Sequence, residues 1–177
     1  QDTLLVEWTL NSGGAAVSTV RAIPSGTSEI NLAESMTIDP SGDIYVTGVF
    51  AGTINLGGQK TVSTSGNDGD IFVVKMSPQN GFDWIVSAGS SSATEWGHSI
   101  AASNSGDLVV GGVYSGTTSF GGNYITSTGG QDGFMAQIDN SGNWDWVETI
   151  GGSSDDLFGG VAVNSTGNYS AFGSFQG

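Results

Sequence analysis

The chain contains no cysteine. Disulfides, thiolate nucleophiles and Cys-based zinc or iron–sulfur centres are therefore excluded. Basic residues are almost as scarce. Arg21, Lys60 and Lys75 stand against seventeen acids, for a formal net charge of −14. That balance repels nucleic acid and anionic lipid, and it leaves cation binding open. Histidine occurs once, at His98, and proline three times against thirty glycines. So much glycine with so little proline points to many tight turns rather than a disordered linker. No apolar run approaches the roughly 18 residues of a spanning helix. No signal-peptide pattern stands at the start. An opening Gln1 is compatible with a mature form after signal removal, or with an arbitrary boundary.

What is present is repetition. "SMTIDPSGDIYVTGVFAG", "SIAASNSGDLVVGGVYSG" and "GVAVNSTGNYSAFGSFQG" are three versions of one sentence. Their turn glycines Gly42, Gly106 and Gly167 stand 64 and 61 residues apart. Gly48, Gly112 and Gly173 keep the same phase, as do Phe50, Tyr114 and Phe175. Asp70 and Asp132 are 62 residues apart, and so are Trp84 and Trp146. A period near 60 is the mark of repeated supersecondary units.

Within a unit the local period is two, which is that of a strand. "DIYVTGVF" sets Ile44, Val46, Gly48 and Phe50 on one face. "DIFVVKM" sets Phe72, Val74 and Met76 opposite Ile71, Val73 and Lys75. Trp84 and Trp146 fall on matching faces of later strands, with Val6 and Trp8 in the same phase near the start. "PSGD", "NSGD" and "STGN" read as hairpin turns between first and second strands, "SPQNG" and "DNSGN" as turns between third and fourth. No helical periodicity of useful length is present.

The expected fold is all-β: four-stranded antiparallel blades in tandem, read as a partial β-propeller of fewer than three blades. The expected parts are an orphan fourth strand over Leu4 to Leu10, a blade from Met36 to Ala88, a blade from Ile100 to Ile150, and a half blade from Val161 to Gly177. That is about eleven strands in one domain over residues 1–177. The tryptophans are expected to fill the space between blades. A β-solenoid is the runner-up, but its coils are usually much shorter than 60 residues.

The stretches "IYVTGVFAG…LGG", "GNDGDIFVVKM", "GFDWIVSAG" and "SIAASNSGD" resemble the SBBP-type β-propeller repeat. The likeness runs from about Met36 to Gly177. It implies a secreted or cell-surface protein of bacterial or archaeal type, serving as an extracellular, non-catalytic scaffold or binding module. Two departures stand out. Trp8 to Met36 is about twelve residues longer than Trp84 to Ile100, so "AAVSTVRAIPSGTSEINL" is expected as a surface loop or blade-edge extension. The other is the stop after a second strand, since closed propellers have about four to eight blades. Three readings follow: part of a longer propeller, self-association into a ring, or a short capped stack.

Candidate site residues are few. Glu95, Asp155 and Asp156 fall on loops from fourth to first strand, with Trp96 and Phe158 beside them, and form a candidate ligand platform for a glycan or peptide. Paired carboxylates also raise a glycoside-hydrolysing alternative. Asp68, Asp70 and Asp132 stand at the start of third strands. Their expected role is to cap backbone N–H groups, with calcium as the functional alternative. His98 lacks a nucleophile-elbow G-x-S-x-G anywhere in the chain, and a structural role is expected for it. Asn164 and Asn168 fit the N-glycosylation pattern, and both also flank a tight turn.

The functional expectation is an extracellular module for adhesion, display or surface assembly, with no catalytic residue and no cofactor beyond the calcium alternative. Partners would be a surface protein or glycan, further blades of the same chain, or a second copy. The alternatives are a structural subunit of a surface layer or filament, and a propeller enzyme acting on polysaccharide.

Overall fold

In the computed structural model the described backbone covers residues 3–10, 16–23, 30–58, 60–64, 66, 68–78 and 80–176. Side chains are described at Ile23 and from Ile30 onward. Among these residues there is no helix, and the sheets are antiparallel.

Two four-stranded sheets form the body. One is built from β3 (Ile30–Ile38), β4 (Ile44–Ala51), β7 (Asp70–Ser77) and β8 (Gly81–Ala88), side by side in that order. The other repeats it with β9 (Trp96–Ala102), β10 (Leu108–Tyr114), β13 (Asp132–Ile138) and β14 (Trp144–Ile150). A two-stranded sheet, β15 (Leu157–Val163) with β16 (Tyr169–Ser174), begins the plan a third time. The expected turns are where the sequence put them. Gly42, Gly106 and Gly167 close the first hairpins and Gly81 and Gly142 the second, all at positive φ. Asp39, Asp139 and Asn164 each turn a side-chain oxygen onto the N–H groups two and four residues on.

The first strand starts earlier than expected in every unit: at Ile30, Trp96 and Leu157, where Met36, Ile100 and Val161 were the expected limits. A β-bulge explains the difference. Glu34, His98 and Gly159 are each one residue too many, so the alternation skips there and the period-two signal is readable only downstream. The repeated glycines Gly48, Gly112 and Gly173 stand opposite these bulges. A Cβ on them would collide with the carbonyl oxygens of Leu32, Trp96 and Leu157 respectively. That close approach of backbones is what requires glycine there.

Two short hairpins were not foreseen. They are β5 (Thr53–Asn55) with β6 (Thr61–Ser63), and β11 (Thr117–Phe120) with β12 (Asn123–Thr126). Each lies between the second and third strands of its unit and turns at a Gly-Gly pair of positive φ, Gly57–Gly58 and Gly121–Gly122. With three or four residues each, these strands are too short to show a period.

The chain's first strand also differs from expectation. β1 (Thr3–Leu10) is not an orphan, because it pairs with β2 (Ala16–Ile23), inside the segment expected as a loop or edge extension. Thr3 faces Ile23 as Ile71 faces Ala88 and Gly133 faces Ile150. The connections that follow, 24–29, 89–95 and 151–156, are of similar length. β1 and β2 thus precede β3 at the spacing that β7–β8 keep before β9 and β13–β14 before β15.

Consecutive sheets stack face to face. Tyr45, Ile71, Val73 and Ala88 of the first sheet share one core with Ile100, Leu108, Val110, Phe134, Ala136 and Ile138 of the second. The first strands stack in series, with β9 against both β3 and β15. A hydroxyl rung joins them at each step. Ile100 N–H donates to Ser35 Oγ at 3.3 Å, and Val161 N–H donates to Ser99 Oγ at 3.1 Å. Three tryptophans bridge the sheets: Trp84 Nε1 donates to the Asn140 carbonyl, Trp144 Nε1 to the Ser87 carbonyl, and the Trp146 ring lies tilted against Tyr169, while Trp96 meets His98 of its own strand and the Trp8 side chain lies outside the described residues.

Candidate functional site

The connections from fourth to first strand carry the candidate platform residues, and the structure divides those residues in two. Glu95 and Asp156 occupy one repeat position, and both are buried. Glu95 Oε2 accepts from Ser90 N–H and Oε1 from the Thr118 hydroxyl at 2.9 Å. Asp156 Oδ2 accepts from Gly152 N–H at 2.7 Å, and Oδ1 from Gln176 N–H at 2.6 Å. Their own N–H groups donate to the carbonyls of Gly69 and Gln131, just before the third strands. Each carboxylate thus closes its loop and ties it to the neighbouring sheet end. Burial pushes the Glu95 carboxyl upward, although the Ser90 and Thr118 hydrogen bonds oppose the shift.

The remaining platform residues are more open. Asp155 is exposed, with Oδ1 held by Gln131 N–H at 2.9 Å. Trp96 is half-buried and stacks on His98, with ring centroids 5.9 Å apart. Trp96 and His98 stand two residues apart in β9, and the period-two alternation of a strand puts such a pair on one side. Phe158 is half-buried and lines a groove of about 200 Å³ with Ile150, Leu157, Phe172 and Phe175. Glu95–Trp96 and Asp155–Phe158 are therefore equivalent stretches on successive sheets and do not converge on a single pocket.

Asp70 and Asp132 occupy matching places at the start of third strands, both buried. The Asp132 carboxylate accepts from the Thr128 N–H and hydroxyl at 2.9 and 3.1 Å. A Cβ on Gly89 or Gly151 would strike the carboxylate of Asp70 or Asp132. Those glycines are the space the carboxylates fill. Asp68, Asp70 and Asp132 form no cluster, and among the described residues no three His, Asp or Glu side chains group to hold a metal ion.

One network was missed by sequence reasoning. Lys75 is buried between the two large sheets. Its Nζ lies 3.0 Å from Asp43 Oδ2, donates to Asn140 Oδ1 at 2.6 Å, and sits over the Tyr45 ring. The Tyr45 hydroxyl donates to Asp39 Oδ2 at 3.0 Å. Desolvation, then the Asp39 bond, hold that phenol well above its usual range. The signal in sequence was slight: one lysine in an otherwise apolar strand. Asn164 Oδ1 accepts from the N–H groups of Thr166 and Asn168, so the glycosylation-like asparagine shapes a turn.

No protein-family model matches the chain, and no curated protein matches it.

Proposed function

We propose that the chain is an extracellular, non-catalytic β-propeller module of the SBBP type. It would present its loop end to a surface glycan or protein for adhesion or display. The observation that carries the non-catalytic part is the state of Glu95 and Asp156. A hydrolase needs carboxylates free to reach a glycosidic oxygen or a water. Here both are buried acceptors of backbone N–H groups that close their own loops. What remains part-exposed at that end is an aromatic–imidazole pair, Trp96 with His98, a surface suited to stacking on a sugar or peptide rather than to turnover.

The propeller reading is supported by the serial stacking of β3, β9 and β15 through identical hydroxyl rungs. In a propeller, first strands crowd the axis and fourth strands splay outward. Spin labels test this within one chain. A pair at Glu34 and His98 is expected to lie closer than a pair at Asp83 and Asp145, and equal distances would leave a parallel stack instead. For function, the chain is expected to be retained on immobilised polysaccharide or glycan arrays, to weaken with Trp96→Ala, and to release no reducing ends. Reducing ends that vanish in Asp156→Asn would overturn the non-catalytic reading.

A further inference from the structure

Lys75 projects from β7 into the space between the two large sheets, where its side chain is only 10 % exposed. Three groups meet its Nζ there. Asp43 Oδ2, just before β4 of the same sheet, lies 3.0 Å away. Asn140 Oδ1, on the turn between β13 and β14 of the other sheet, lies 2.6 Å away. The Tyr45 ring covers Nζ with its centroid at 5.5 Å. An amine is thus in direct contact with both a carboxylate and a carboxamide.

The carboxamide is held in place. Trp84 Nε1 donates to the Asn140 backbone carbonyl at 3.2 Å. The amide group itself lies against Gly106, where a Cβ would stand 3.1 Å from Cγ, 3.2 Å from Oδ1 and 3.3 Å from Nδ2. The Tyr45 hydroxyl stands 3.5 Å from Oδ1. The repeat does not demand this arrangement. The register that sets Lys75 opposite Tyr45 sets Gln137 opposite Val109. The place that Asn140 takes over Gly106 is taken by Pro78 over Gly42.

The geometry points to an autocatalytic cross-link: an amide bond between Lys75 Nζ and Asn140 Cγ, with Asp43 as the catalytic proton carrier. Nζ passes one proton to Asp43 Oδ2 and becomes a neutral amine. Its electron pair attacks Cγ, the Nζ–Cγ bond forms, and negative charge gathers on Oδ1 beside the Tyr45 hydroxyl. A second proton moves from Nζ to Nδ2. The Cγ–Nδ2 bond breaks with its electron pair on nitrogen, and ammonia leaves as ammonium with the proton that Asp43 held. One N–H stays on Nζ, Asp43 is a carboxylate again, and no oxidant or cofactor enters. Fixed contact between nucleophile and carbonyl supplies the orientation that free amines and amides lack in water. Asn140 stands on an exposed turn, so the ammonia escapes to solvent. The product ties β7 to the second sheet across 65 positions of chain. In a chain without cysteine it does what a disulfide does elsewhere, restricting the unfolded state. The inference stands apart from the propeller reading.

Trypsin cuts after lysine only where the side-chain amine is free. The chain, incubated folded, then denatured and digested, is expected to show no cut after Lys75. Residues 61–75 then run on into those from Met76, in a peptide lighter than its sequence by one ammonia. Loss of ammonia at Gln1 or at Asn80 would leave that cut intact, so the two readouts together locate the bond. Asn140→Ala is expected to restore both the cut and the full mass, in a chain whose near-ultraviolet circular dichroism matches the parent's. Complete cutting at Lys75 after long incubation of the folded protein overturns the inference. So does a blocked cut that persists in Asn140→Ala. If Asn140→Ala does not fold, the fragment spectrum of the parent peptide decides, since it must show Lys75 joined to Asn140 and to no other residue. Asp43→Asn is expected to slow the loss of the cut at least tenfold, and an unchanged rate overturns the role given to Asp43.

Discussion

The interface between the first and second sheets and the one between the second sheet and the β15–β16 pair share a backbone plan. They differ in what they bury. Both carry the serine rung, the bulged first strand and the glycine opposite it. The first adds a continuous core from Tyr45 to Ile138 and the Lys75–Asn140–Tyr45 network. The second leaves Val161, Val163, Tyr169 and Ala171 only part-buried against the second sheet, and Phe175 58 % exposed. The rungs set the spacing and the apolar area sets the strength, so a repeat can keep its geometry where it has lost most of its burial.

Phe134 against Phe172 is the sharpest way to break that comparison. Phe134 is fully buried and lies 4.9 Å from the Phe120 ring. Phe134→Ala is expected to cost about 3–5 kcal/mol of unfolding free energy in urea. Phe172→Ala, measured on dilute single chains, should stay within about 0.5 kcal/mol. Similar losses at both would mean that the terminal pair is packed as tightly as the body.

The bulge glycines come next. Gly112→Ala and Gly173→Ala meet the same obstacle, a carbonyl oxygen across the bulge. Gly112→Ala is expected to lower the global unfolding free energy by about 1–3 kcal/mol through overpacking. Gly173→Ala should instead release amide protection in β15 and β16 alone, visible by hydrogen exchange. Global loss from both would erase the distinction.

Smaller still are the rungs. Ser35→Ala and Ser99→Ala each remove one hydroxyl acceptor and should each cost about 1 kcal/mol, and by equal amounts. Unequal costs would show that burial around the rung matters more than the rung.

The finest difference is in pH. Burial raises the Glu95 carboxyl, so its folded value lies above the unfolded one. Its contribution is fully present below about pH 4.3 and is lost as pH rises through the folded value. Asp139 is lowered, by the Asn143 side chain first and then by turn N–H groups. Its contribution is present above about pH 3.9 and is lost as pH falls. In urea midpoints against pH, Glu95→Gln should remove a decline toward neutral pH, and Asp139→Asn a decline toward acid. Slopes of the same sign would contradict one of the two assignments.

The turns and central strands were legible in sequence because their signals are local. Gly42, Gly106 and Gly167 mark φ > 0 wherever they stand, and "DIFVVKM" alternates without interruption. The first strands were legible only past the bulge, since one extra residue inverts the alternation. β2 escaped because "AVSTVRAI" carries no aromatic landmark, and only its pairing with β1 shows it to be a strand. The site residues were hardest. Nothing in "SATEW" says whether Glu95 looks outward or back at Ser90, because that depends on Thr118 in a hairpin the sequence did not disclose.

The bulge slot has one further consequence. Glu34, His98 and Gly159 hold the same place with an acid, an imidazole and no side chain at all. The close approach is set from across the strand, by the glycine and the carbonyl it meets, while the slot's own side chain changes from unit to unit. Each unit therefore carries a writable position at a constant spacing. A protein engineer could set those positions independently, one chemical letter per unit, without rewriting the fold that holds them.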